Sequence, residues 1–295
     1  RRRAYGVGAC ACVCTAAAHR EGVAYMPDIK VLNPHAKRGG FKHAIFDFDG
    51  TISLVRAGWQ DVMNPYFIDV LAATPNPGSK KSITDCVRDF VDYNTGKQTI
   101  YQCIELAGEV KKRGGHPLEP IEYKETYHAL LLERIDHRLE GLRSKTLSLA
   151  DCVVPGSFEL LGAMRDRGVM CYLASGTDEK YVLHEAALVG VTDYFDGGIY
   201  GAQDDYKNFS KKMVIENIIK ENDLHGDELI GFGDGYVEIE NVKEAGGFAV
   251  GVASDETGEG RLDEWKYRRL EKAGADIIIP HFLETEELIK YLFEE

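Results

Sequence analysis

The chain has 295 residues and a formal net charge of −13, with 44% hydrophobic and 28% charged residues. That length allows one large or two modest domains with an ample buried core. The acidic balance argues against nucleic acid or an anionic membrane surface as partner, and no segment is long and apolar enough to span a bilayer as a helix.

Residues 1–40 do not fit a domain. Three arginines and a short apolar stretch rich in Gly and Cys superficially imitate a secretory signal. The stretch is short and no Met opens it, so this segment is read as a disordered or non-native leader with Met26 as the natural start. Cys10, Cys12 and Cys14 lack the second Cys or His pair that a metal clip needs. Cys86, Cys103, Cys152 and Cys171 are scattered through predicted core elements and read as reduced, buried thiols of a cytoplasmic protein. The histidines are dispersed, with no zinc-type pair among them.

Residues 43–48 have the apolar, aromatic-rich character of a buried strand, which Gly50 ends. Side chains alternate along a strand, so Asp47 and Asp49 fall on one side of its end. Two carboxylates at the carboxyl edge of a buried strand are costly unless a cation or a reaction uses them. One then suits attack as a nucleophile and the other proton transfer.

Residues 57–150 carry helical patterns over 83–95, 99–112 and 120–139, separated by Pro/Gly-rich breaks at 74–78 and 113–120. No strand of comparable strength interrupts them. The flanking connections, 55–58 and 151–156, both contain Gly, which suits hinges.

A second buried strand, from residue 169, ends in Ser175-Gly176, with Thr177 or Asp178 placed to cap the following helix. A hydroxyl and free N–H groups at a helix start make a seat for phosphate. Further on, Ser210 is expected to cap an amphipathic helix that opens with Lys211 and Lys212. Cations in a first turn oppose the helix macrodipole, so their placement calls for an anionic partner. A third apolar strand from residue 228 ends in Gly233-Asp234-Gly235, with Glu238 one helical turn onward. Oxygen ligands at this spacing suit Mg²⁺. Further strands are expected at 247–252 and 275–280. Short strands alternating with helices give an α/β fold, a doubly wound parallel sheet. Its active site should lie beyond the carboxyl ends of the strands.

Asp47-Phe48-Asp49-Gly50-Thr51, Ser175, Lys211 and Gly233-Asp234…Glu238, in this order, together resemble the four-motif signature of the haloacid dehalogenase superfamily. The resemblance covers residues 41–56 and 151–295 as the catalytic core. It implies that the helical insert 57–150 is a C1-type all-α cap that shapes substrate choice. It also implies that Asp47 attacks phosphorus, that Asp49 protonates the leaving oxygen and then activates water, and that Thr51, Ser175, Gly176 and Lys211 bind the phosphoryl group. Mg²⁺ would lie between the Asp47 carboxylate, the Asp49 backbone carbonyl and Asp234, with Glu238 a ligand directly or through water. Lys207 and Lys212 are alternatives to Lys211, which is preferred because Val214 and Ile215 follow it at the family's usual offset.

An alcohol leaving group needs a proton, so Asp49 favours the phosphatase and phosphomutase branches over the ATPase and dehalogenase branches. The expected activity is Mg²⁺-dependent hydrolysis of a small phosphorylated metabolite. A phosphomutase of the β-phosphoglucomutase type and a non-catalytic binder of a phosphorylated ligand are the alternatives. A phosphonatase would need a Schiff-base lysine in the cap, for which there is no motif. Thr95, Gly96, Lys97, Gln98 and Thr99 are the cap residues expected to meet the non-phosphate part of the substrate.

Overall fold

The computed structural model describes residues 28–203 and 209–295. The leader through Pro27, with Met26, Cys10, Cys12 and Cys14, and the alternative Lys207 lie outside the described residues.

The centre of the molecule is a seven-stranded sheet. Its strands are β1 (Lys30–Val31), β2 (His43–Phe46), β3 (Met170–Asp178), β4 (Gly198–Ala202), β5 (Leu229–Gly233), β6 (Phe248–Val252) and β7 (Ile277–Ile279), in spatial order β1-β7-β6-β5-β2-β3-β4. All neighbours pair in parallel except β1 with β7. Strand β2 is central and buried on both faces, as its unbroken apolar run requires. Its alternation sorts the core. Ala44 and Phe46 pack with α5 (Ser157–Asp166), α6 (Glu179–Leu188) and α10 (Thr285–Phe293). Ile45 packs on the other face with α7 (Lys211–Glu221), α8 (Tyr236–Glu244) and α9 (Glu264–Ala273). This is the doubly wound α/β sheet the pattern predicts.

Residues 28–40 do not lie outside the fold, contrary to the expectation for 1–40. Lys30 and Val31 pair with Ile278 and Ile277, Ile29 is buried, and the Asn33 side-chain amide donates to Asp276 Oδ1 at 2.8 Å. An edge strand of two residues falls below what a period-two pattern reveals.

The insert between β2 and β3 is all helical: α1 (Gln60–Ala72), α2 (Lys80–Tyr93), α3 (Thr99–Lys112) and α4 (Pro120–Arg143). Helix α1 escapes sequence reading because Pro65 lies inside it, and an interior Pro removes one backbone bond that helical neighbours must offset. Met63, Phe67 and Leu71 do so by burying one face against the rest of the insert.

The two connections hold one another. Leu54 N–H donates to Cys152 C=O at 2.8 Å and Val154 N–H to Ile52 C=O at 2.9 Å. Arg138 of α4 braces the first by donating to the carbonyls of Val55 and Ala57 at 2.9 and 2.8 Å. Gly156 has φ +83°, and a Cβ there would overlap the Phe282 backbone, so only Gly fits.

Of the described cysteines, Cys103, Cys152 and Cys171 are buried and Cys86 is half-buried, all as free thiols. Burial pushes Cys103 and Cys171 up to about 12. No described helix is long and apolar enough to cross a membrane.

Candidate active site

Asp47 follows β2 directly, and its N–H donates to Phe232 C=O of β5 at 2.9 Å, which continues the parallel ladder past Phe46. The chain then turns at Gly50, φ +78°, where a Cβ would overlap the Asp234 carboxylate. A left-handed glycine is therefore what allows the ends of β2 and β5 to meet. Asp47 and Asp49 emerge beside each other at the carboxyl edge of the sheet, under the helical insert, and line one cavity with Ser175, Gly176, Lys211 and Asp234.

Lys211 is buried in the first turn of α7, where Ser210 caps the helix by accepting the Met213 N–H at 3.1 Å. The Lys211 ammonium lies 2.6 Å from Asp47 Oδ1 and also donates to Glu238 Oε1. This is the anionic partner that its place against the macrodipole calls for. Burial alone would lower the Lys211 pKa, but the Asp47 and Glu238 carboxylates outweigh it and hold the ammonium charged. Lys212 points away, exposed, to Glu244 at 2.7 Å.

The proton-transfer candidate is held from both sides. Thr177 Oγ1 donates to Asp49 Oδ2 at 2.8 Å, and Ser175 Oγ lies 3.4 Å from the same oxygen. Arg56 Nε stands 4.0 Å from Asp49 Oδ1 and is itself fixed by Glu185, with Nε and Nη2 bonded to that carboxylate at 2.7–3.1 Å. Burial pushes the Asp49 carboxyl up to about 6. Arg56 opposes the shift and Glu185 adds to it. Asp47 is raised well above the usual carboxylate range, first by burial and further by Glu238 and Asp234, with Lys211 working against both.

Three sequence expectations change here. Strand β3 does not end at Ser175-Gly176 but runs to Asp178, with a register shift between Ala174 and Asp178. The residues expected to seat phosphate therefore lie on an irregular strand end rather than at a helix start. Neither expected residue caps α6: Thr177 bonds Asp49, and Asp178 occupies the N-cap position without a side-chain cap bond. Its carboxylate pairs instead with Lys124 of α4, with His128 Nδ1 at 3.7 Å. The buried Lys124 ammonium needs a counter-ion, and the Asp178 carboxylate supplies it. Thr51 does not line the cavity. It is fully buried, with its hydroxyl without a hydrogen-bond partner, because the Gly50 turn carries it beneath the site.

Gln98 is a fourth case. Its side-chain amide donates to Phe209 C=O of the core at 2.7 Å rather than facing the cavity, whereas Thr95, Gly96, Lys97 and Thr99 do line it. The insert is docked on the core through further backbone carbonyls. Tyr236 Oη donates to Tyr93 C=O and Arg269 Nη2 to Asp92 C=O, both at 2.7 Å. Gly176 lies so close to the Lys97 carbonyl that a Cβ would push the insert away.

Trp59, Met63, Tyr127 and Leu131 supply an apolar wall opposite the aspartates. None of these, nor Arg56 and Glu185, stands out in the sequence, since they come from separate elements at no fixed spacing. Thr177 had a signal, because it lies two residues after Ser175 on the same face of a strand.

The donor set suits a hard divalent cation such as Mg²⁺, because it holds carboxylates without thiolate or imidazole. Glu238 and Asp234 are near enough to raise the cost of charging Asp47, and Glu238 Oε2 is buried without a hydrogen-bond partner. A cation would relieve both conditions, so the residues fit the group.

A doubly wound sheet with aspartates beyond the ends of its central strands, under a helical cap, defines a capped hydrolase of the haloacid dehalogenase type. The haloacid dehalogenase-like hydrolase family model matches residues 41–246, and the chain belongs to that family. No curated protein matches the chain in sequence. Among solved structures, β-phosphoglucomutase from Clostridium difficile is similar at 16% identity and TM-score 0.57, covering 86% of this chain and 98% of that one. A protein described as a predicted phosphoglycolate phosphatase from Haemophilus somnus aligns at 16% identity and TM-score 0.56, covering 85% and 98%. A family hydrolase from Deinococcus radiodurans, solved with bound phosphate and sodium, aligns at 14% identity and TM-score 0.51, covering 85% and 96%. These likenesses establish the fold.

Proposed function

We propose that the chain is a Mg²⁺-dependent phosphomonoesterase for small phosphorylated metabolites, acting through an aspartyl-phosphate on Asp47. The observation that carries this reading is Asp49. It is a half-buried carboxyl whose pKa is pushed up to about 6, oriented by Thr177 beside the nucleophile. A general acid works best with a pKa near the working pH, and an ester leaving group needs that proton.

In the reaction, Asp47 Oδ attacks phosphorus while Asp49 delivers its proton to the leaving alcohol oxygen. Asp49, now ionised, takes a proton from the water that cleaves the aspartyl-phosphate. Lys211 and Ser175 hold the equatorial phosphoryl oxygens, whose charge would otherwise repel Asp47. Asp47, the Asp49 carbonyl, Asp234 and Glu238 would hold Mg²⁺, which supplies charge neutralisation for the phosphoryl group. The docked cap excludes bulk water and favours substrates small enough to be enclosed. Folded phosphoproteins would not enter.

The test is phosphate release from a panel of phosphorylated metabolites and an aryl phosphate, with and without Mg²⁺. Asp47→Asn should abolish turnover, and Asp49→Asn should slow ester hydrolysis by at least about a hundredfold. Wild-type activity in Asp47→Asn would refute the assignment. The likeness to a β-phosphoglucomutase favours one second reading, and turnover of a sugar phosphate only after priming with its bisphosphate would select it.

A further inference from the structure

Lys266 is a second buried lysine at this site. Like Lys211 it lies in the first turn of a helix, against the macrodipole, and is only 6% exposed. Its ammonium lies 2.8 Å from Asp234 Oδ2, 2.6 Å from Glu256 Oε1 and 3.4 Å from Ser254 Oγ. Ser254 Oγ in turn donates to the Gly50 carbonyl at 2.6 Å. One side chain from α9 therefore ties together the ends of β5 and β6 and the turn after β2. Glu256 adopts φ +56°, a left-handed conformation that a non-glycine residue enters only at a cost. Its contact with Lys266 offsets that strain, so the loop 254–256 is shaped around this lysine.

We propose that Lys266 is a positioning residue for the metal site: it clamps one oxygen of Asp234 and leaves the other for the metal ion, while Glu256 cancels its charge. The inference rests on the metal-dependent reading above. Hydrogen-bond partners of this kind fix the direction of a ligand carboxylate, and their loss weakens metal binding. Charge alone makes the opposite demand, because a cation 2.8 Å from a ligand oxygen repels a metal ion, and removing it would tighten binding.

The sign of the change is the test. Mg²⁺ alone is titrated into the purified full chain by calorimetry, and in parallel by fluorescence of Trp59 and Trp265. These are the chain's two tryptophans, and both line the cleft shared with Asp234 and Lys266. Lys266→Met should weaken Mg²⁺ binding by about 10- to 100-fold. Unchanged or tighter binding in the folded variant overturns the proposal. Should Lys266→Met not fold, Glu256→Gln replaces it. That variant leaves the Lys266 charge uncompensated and its position looser, so a loss of at least about threefold is expected, and none overturns the proposal. Asp234→Asn distinguishes the two layers. If it too leaves Mg²⁺ affinity unchanged, the metal site itself is misassigned and the role of Lys266 falls with it. If it weakens binding while Lys266→Met does not, only the role of Lys266 fails.

Discussion

Asp47 and Asp49 are two residues apart in one turn, yet their surroundings differ in kind. Asp47 faces an ammonium and two further carboxylates, whereas Asp49 faces two hydroxyls and a guanidinium that Glu185 already neutralises. Burial and the two carboxylates oppose ionisation of Asp47, so in the proposed reaction Lys211 and a bound cation must keep it charged, whereas the second environment suits a group that gives up a proton near neutrality. Thr177 is the smallest handle on this difference. Thr177→Val removes the 2.8 Å bond to Asp49 Oδ2 at nearly constant volume. Steady-state kinetics should show kcat lowered by at least about tenfold with KM little changed. An unaltered kcat would mean that Asp49 needs no orienting hydroxyl.

At the scale of elements, one contact between the cap and the core is a cluster of charged side chains. Lys124 and His128 project from α4 onto Asp178 at the end of β3, with Tyr181, Lys180 and Arg56 nearby. Burial lowers the His128 pKa to about 4. Asp178 opposes this, and Arg56, Lys124 and Lys180 reinforce it. The unfolded chain, with an ordinary imidazole near 6.5, binds more protons than the folded one between these values. Stability contributed here is therefore full above about pH 6.5 and is lost as pH falls toward 4. Urea unfolding at pH 7 and pH 5 should show an acid loss on the order of 1–2 kcal/mol larger in the wild type than in His128→Gln. Equal losses would show that His128 is not the group responsible.

The cap helices with a clear apolar period, α2, α3 and α4, are legible in the sequence. Helix α1 is not, because Pro65 contradicts it locally and only packing compensates. The cap loop is legible as a contact segment but not residue by residue. Whether Gln98 faces a substrate or the Phe209 carbonyl depends on how the insert docks, which no local pattern encodes.

At the scale of the molecule, the sheet is closed on one side by β1, a contribution invisible in the sequence. Ile29 is buried, β1 pairs with β7, and Asn33 bonds Asp276, which is fully buried. Burying one Ile contributes about 2 kcal/mol, and the ladder adds to it. A chain truncated through Asn33 should therefore melt about 5 °C or more below one truncated through Pro27. Equal melting temperatures in calorimetry would show that the edge strand contributes nothing.

The sequence by itself determined the parallel sheet and the line-up of Asp47, Asp49, Ser175, Lys211 and Asp234 at strand ends and a helix start. Each of these is announced by its neighbours: an apolar run, a glycine turn or a capping serine. What only the tertiary structure decided is which groups surround them. Arg56 with Glu185, Thr177 on Asp49, Lys124 with Asp178, and Lys266 with Asp234 are contacts between distant parts of the chain. Their partners are chosen by burial and charge compensation in three dimensions, where a buried ion must find a counter-ion wherever the fold brings one. Sequence spacing carries no record of that choice.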